Sequence, residues 1–144
     1  MRNKILVVDD NLELLQMLRL AFRAAGFSVA TAKSGIEALK KARSLAPDLI
    51  LLDLVLPEMD GFAVCETLRK CPDTQSIPII LLSGLSSQFA RFAGIDSGAN
   101  EFVNKPVRPS VLVERIKSLL SVKPAVAKAP VAGPARNGAA VRRR

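Results

Sequence analysis

Several aliphatic runs in this chain stop on a polar side chain. ILVV is followed by Asp9 and Asp10, and LILL by Asp53. Ser83 follows IILL in the same way, and Lys105 follows EFVN. Three carboxylates brought together repel one another and raise each other's pKa values. A hard divalent cation removes that conflict. Magnesium prefers oxygen ligands, keeps several waters, and is usually held by one or two carboxylates together with phosphate oxygens. A lysine adds a point charge suited to a phosphoryl oxygen, and a serine adds a neutral donor. With one aspartate free as nucleophile, the set suits phosphoryl transfer to a carboxylate. Each residue alone has a plainer reading. Asp9 and Asp10 before Asn11 would be a cap or a solvated turn, Asp53 a strand-end acid, Ser83 a turn hydroxyl and Lys105 a solvated lysine. Only their joint placement argues for a site.

That placement depends on the elements between them. KILVV (4–8) reads as a strand. Asn11 caps a helix whose apolar Leu14, Leu15, Leu18, Phe22 and Ala25 recur at three and four, and Gly26 ends it. SVATA (28–32) is a second strand. Ser34 with Glu37 forms a capping box for a helix to about Leu45, and Pro47 blocks its continuation. DLILLD (48–53) is a third strand. A loop with Pro57 and Gly61 leads to a short helix at about 62–70. IPIILLS, from Ile77, is a fourth strand and is followed by a helix at about 87–97. NEFVN (100–104) is a fifth, and Pro109 opens a final helix. Strict alternation of strands and helices predicts an α/β fold, a parallel sheet covered on both faces. In such a sheet all strand C-termini lie at one edge, where ligands bind. The acids, the serine and the lysine therefore share one rim.

Composition narrows the rest. The net charge of +8 is uneven: residues 122–144 hold six basic residues and no acid, which leaves residues 1–121 at +2. The predicted domain is 1–121. VKPAVAKAPVAGPARNGAAVRRR (122–144) reads as a basic, Ala/Pro-rich disordered tail or linker. The first acids come too early for a signal peptide, and no apolar run could span a membrane. A cytoplasmic protein is expected. Cys65 and Cys71, with no histidine in the chain, make neither a disulfide framework nor a zinc set. They read as two reduced thiols, Cys71 the more exposed. Phe89 and Phe92 read as core or half-buried packing.

VVDDN, LLDLVLPEMDG, IILLSG and FVNKP, in that order and each at a strand end, resemble the signature segments of the response-regulator receiver domain of two-component signalling, of the stand-alone chemotaxis kind. The resemblance runs from residue 4 to about 121. It implies a flavodoxin-like, doubly wound sheet of order 2-1-3-4-5. It implies that Asp53 is the phosphoryl acceptor and that Mg2+ is held by Asp10, Asp53 and the Val55 carbonyl, with Asp9 acting through water or as a support. Lys105 would pair with the phosphoryl oxygen, and the Lys105–Pro106 bond would be cis. Ser83 and Phe102 match the switch pair: on phosphorylation the hydroxyl turns to the phosphate and the ring turns inward. A phenylalanine at 102 lacks the phenol of a tyrosine. Val55 and Leu85 would flank the path of a hydrolytic water and, being apolar, slow the loss of the phosphoryl group.

The implied function is a phosphorylation-dependent switch, not an enzyme beyond its own phosphorylation and dephosphorylation. A sensor histidine kinase or a histidine phosphotransfer protein would be the donor. A protein effector would bind the face made by the fourth helix, fifth strand and fifth helix, and a phosphorylation-dependent homodimer is a further option. No specific DNA binding is expected. Other readings are a degenerate receiver acting as a plain binding module, or a receiver fragment of a larger regulator. An aspartate-nucleophile phosphatase of the haloacid dehalogenase kind needs a second acid two residues after the nucleophile, where this chain has Val55. A dinucleotide-binding module lacks its G-x-G-x-x-G after the first strand.

Overall fold

The structure, a computed structural model, describes residues 2–84 and 88–121, the Phe89 side chain excepted. Leu85 and the tail at 122–144 lie outside the described residues. Strands and helices alternate throughout: β1 (Lys4–Val8), α1 (Leu12–Ala24), β2 (Ser28–Ala32), α2 (Gly35–Leu45), β3 (Leu49–Asp53), α3 (Gly61–Lys70), β4 (Ile79–Ser83), α4 (Gln88–Asp96), β5 (Glu101–Asn104) and α5 (Pro109–Leu120). The five strands form one parallel sheet in the order β2-β1-β3-β4-β5.

Strand parity divides the core in two. Leu6 and Val8, Ile50 and Leu52, Ile79 and Leu81 pack with Ala38, Ala42, Val64, Leu68 and Ala90 from α2, α3 and α4. Ile5 and Val7, Leu49 and Leu51, Ile80 and Leu82 pack with Leu15, Leu18, Phe22, Leu112 and Ile116 from α1 and α5. All five residues of β3 and of β4 are buried, because both strands are interior and covered on both faces. This is why they read as unbroken aliphatic runs rather than as alternating ones.

The helix ends follow local chemistry. The Asn11 side chain accepts from the N–H groups of Glu13 and Leu14 at 3.1 and 3.2 Å. Ser34 Oγ accepts from Glu37 N–H at 3.1 Å, but the Glu37 carboxylate reaches back to Lys33 N–H (2.8 Å) rather than to Ser34. The capping box is thus displaced by one residue. Helix α3 starts at Gly61, one residue earlier than the sequence suggests, because Asp60 caps it by accepting from Ala63 N–H at 2.9 Å. Strand β3 begins at Leu49, not Asp48. The Asp48 carboxylate instead accepts the backbone N–H of Lys4 at 2.7 Å.

Two features depart from the sequence reading or lie beyond it. Phe92 is not core: it is 80% exposed on the outer face of α4. Arg69, at the end of α3, ties distant loops together. Its guanidinium donates to the carbonyls of Gly98 (2.8 Å), Gln75 (3.0 Å) and Ile77 (2.7 Å), and to Asn100 Oδ1 (2.9 Å).

Candidate functional site

Sheet register brings the polar strand ends together. Val8 is paired with Leu52, so Asp9 follows β1 at the level of Asp53. Asp53 is paired with Leu82, and Ser83 with Asn104, directly before Lys105. Asp53 shares the parity of Leu49 and Leu51 and so lies on the α1/α5 side of the sheet. Ser83 shares the parity of Ile79 and Leu81 and lies on the α4 side, as does Phe102. The rim is therefore two-sided, with the acids and the lysine on one side and the proposed switch pair on the other.

Asp9, Asp10 and Asp53 each offer a carboxylate oxygen, and these oxygens all lie within 4.8 Å of one another. Asp9 and Asp53 are buried, whereas Asp10 is exposed. Asp9 is engaged at both oxygens: Oδ1 accepts Asn11 N–H at 2.9 Å, and Oδ2 faces Lys105 Nζ at 3.1 Å. The same ammonium lies 3.1 Å from Asp53 Oδ1. Lys105 thus bridges two carboxylates. Burial pushes the Asp53 carboxyl above its ordinary pKa, and the neighbouring Asp9 charge adds to the rise; the hydrogen bond from Lys105 opposes both. Burial works against the Lys105 ammonium, but its hydrogen bond and charge attraction to Asp53, and then those to Asp9, outweigh it and raise its pKa. Three carboxylates against one ammonium leave the pocket electronegative. An all-oxygen donor set of this kind fits a hard divalent cation. Among the described residues this is the one cluster of acids, cysteines or histidines close enough to hold a metal ion.

The flanking residues fall as follows. Val55 sits between buried Leu54 and Leu56, with its side chain 63% exposed next to the acceptor strand. Leu85 lies outside the described residues. The Lys105–Pro106 peptide is cis. Ser83 is fully buried at the end of β4. Phe102 corrects the expected switch motion, because its ring is already inside, only 4% exposed. A phenyl ring gains nothing by facing water, and α4 makes room for it. Gly94 lies so close that a Cβ there would fall 2.8 Å from Phe102 Cδ2, and the Arg91 guanidinium lies 5.8 Å from the ring centroid. Sequence reading named neither Arg91 nor Gly94. It also missed the Asn11 backbone N–H that holds Asp9, which leaves no mark in residue identity. Asp60 before a helix was a readable capping signal.

Residues 5–117 match the response regulator receiver domain family. The chain belongs to that family. The receiver domain is 41% identical over 120 residues to the DNA-binding response regulator MtrA of Mycobacterium tuberculosis (strain ATCC 25618 / H37Rv), a match that covers 83% of this chain and 51% of that protein. It is 40% identical over 123 residues to the response regulator PleD of Caulobacter vibrioides, covering 85% of this chain and 27% of PleD. The chain thus spans about half the length of the MtrA relative, and less of PleD. Among solved structures, the chemotaxis protein CheY4 of Vibrio cholerae aligns with a TM-score of 0.78 at 31% identity, covering 82% of this chain and 98% of that one. A CheY-like receiver domain protein from Methanospirillum hungatei gives 0.78 at 29% identity, covering 83% and 94%. No helix among the described residues of the receiver domain is long and apolar enough to cross a membrane.

Proposed function

We propose that this receiver domain is a phosphorylation-controlled switch of two-component signalling, with Asp53 as the acceptor. The observation that carries the reading is the buried Asp53 carboxylate, clustered with Asp9 and Asp10 and paired with Lys105 at 3.1 Å. A carboxylate oxygen of Asp53 attacks the phosphorus of a phosphohistidine on a sensor kinase or phosphotransfer protein. The new P–O bond forms as the P–N bond breaks, and the imidazole leaves with the electron pair. Bound Mg2+ would neutralise charge on the phosphoryl oxygens in transit. Asp10, on the exposed side of the cluster, and Asp53 are its direct ligands, with the Val55 carbonyl; Asp9, engaged at both oxygens, supports them. Lys105 pairs with a phosphoryl oxygen and Ser83 donates to another.

The output is protein contact at the face of α4, β5 and α5, where Phe92 and Ile95 are exposed; a phosphorylation-dependent homodimer through that face is the variant form. The site turns over no separate substrate, and its setting is the cytoplasm. Apolar Val55 and Leu85 offer an in-line water no hydrogen bond, which slows hydrolysis of the acyl phosphate. A second reading, the receiver portion of a longer regulator, is favoured by the length ratio to MtrA. DNA binding is stated of MtrA as a whole, and for this domain we propose no specific DNA contact.

The test is incubation with a small acyl phosphate donor and Mg2+. Intact mass should rise by one phosphoryl group, removable by hydroxylamine, and Asp53→Asn should abolish the gain. Equal labelling of Asp53→Asn sinks the assignment.

A further inference from the structure

We propose that Gly61 is a positioning residue for the acceptor strand end, a role that rests on the reading of Asp53 and the Val55 carbonyl just given. Gly61 lies at the start of α3, beyond the turn that carries Val55. Its N–H donates to the Leu54 carbonyl at 2.7 Å, while Leu54 N–H donates to Leu82 on β4 at 3.0 Å. Leu54 is therefore held at both peptide groups, from β4 on one side and from Gly61 on the other. Gly61 is also in direct backbone contact. A Cβ at this position would fall 2.8 Å from the Asp53 carbonyl oxygen, 2.8 Å from Leu54 Cα and 3.3 Å from the Leu54 carbonyl oxygen. These are main-chain atoms, which cannot swing aside as a side-chain tip does.

Gly61 is not among the glycines with positive φ. The requirement for glycine is therefore one of space, not of backbone conformation. Any larger residue must push the Asp53–Leu54 peptide outward, and the Val55 peptide is the next one along. Across the same turn, Gly35 lies against Met59 and Val64: a Cβ there would fall 3.2 Å from the Met59 carbonyl oxygen and 2.7 Å from Val64 Cγ2. Two glycines thus let the backbone on either side of the turn pack without a gap. An acceptor oxygen and a metal-directed carbonyl need placement within a fraction of an ångström, and a small shift costs far more in reaction than in folding.

The experiment compares Gly61→Ala with Gly26→Ala. Gly26 has φ +100 and open space around it, and it lies at the opposite edge of the sheet, so its alanine variant carries backbone strain with no path to the site. Three readings are taken on each: melting temperature, Mn2+ affinity by electron paramagnetic resonance, and the rate and half-saturation of labelling by acetyl phosphate. For Gly61→Ala, Mn2+ affinity and the maximal labelling rate should both fall about tenfold or more. In Gly26→Ala both should stay near wild type while the melting temperature drops. Wild-type metal affinity and labelling rate in Gly61→Ala overturn the proposal, as does an equal loss of both in Gly26→Ala. If Gly61→Ala does not fold, Gly35→Ala decides: weaker Mn2+ binding supports the proposal and wild-type binding overturns it. A wild-type protein that takes neither Mn2+ nor phosphoryl overturns the functional reading itself, a different outcome from either.

Discussion

At the scale of single residues the site is a balance of like charges. Asp53 is buried beside Asp9, and Lys105 compensates only in part. Because its carboxyl pKa is raised above the unfolded value, its charge costs stability in the metal-free protein. The sign follows from linkage. As pH rises from the ordinary carboxylate value through the higher folded one, the unfolded chain ionises first and stability falls. Metal-free Asp53→Asn should therefore melt a few degrees higher than wild type at neutral pH and lose this pH dependence in the acid range. A lower melting temperature for the variant would mean that the Lys105 pair outweighs the burial cost. Lys105 acts at the other end of the scale. Its raised pKa contributes stability that is complete below its ordinary 10.5 and is lost as pH climbs through the folded value.

At the scale of elements, the strand ends are held in register by ties far from the chemistry. Arg69 is the plainest case, one guanidinium serving three carbonyls and the Asn100 side chain, whose oxygen also accepts Ile79 N–H at 2.8 Å. The approach to β4 and the loop before β5 are thereby locked to the end of α3. Removing the fork leaves several half-buried carbonyls without their donor, at a cost of about 1–3 kcal/mol. Arg69→Met should lose about that much in urea unfolding, and Arg69→Lys should recover little, because an ammonium cannot reproduce the planar fork. A loss below about 0.5 kcal/mol would place Arg69 among ordinary surface residues. Phe102 belongs to this scale too. Its ring is held by the closeness of Gly94 on α4 and by Arg91 above it, so a signal routed through α4 need not wait for the ring to move.

At the scale of the whole molecule, charge and packing separate. The body to residue 121 carries a net charge of +2 out of the +8 of the chain, and the remainder lies in residues 122–144. The hydrophobic clusters on both faces of the sheet are complete without any residue beyond Leu120. Truncation after Val122 should therefore leave the melting temperature and the labelling of Asp53 nearly unchanged. It should remove most low-salt binding to polyanions, an attraction that is sequence-independent and screened by salt. A large drop in melting temperature on truncation would move the domain boundary toward the C-terminus.

The fold was legible because its signals are local and repeated. Aliphatic runs mark strands covered on both faces, caps such as Asn11 and Ser34 mark helix starts, and polar residues at strand ends mark one edge. Parallel connectivity then places Asp9, Asp10, Asp53, Ser83 and Lys105 on one rim with no further information, and their residue types name the chemistry. What sequence could not state is which backbone approaches which. That Asp9 spends one oxygen on Asn11 N–H and the other on Lys105, that Phe92 faces water while Phe102 is enclosed, and that Gly61 rests on the Asp53 peptide are all results of chain segments meeting across space. Helical spacing makes Phe92 look like a core residue, and a glycine after Asp60 looks like any turn. Only tertiary packing decides which side of α4 has a neighbour and which glycine has no room for a methyl group.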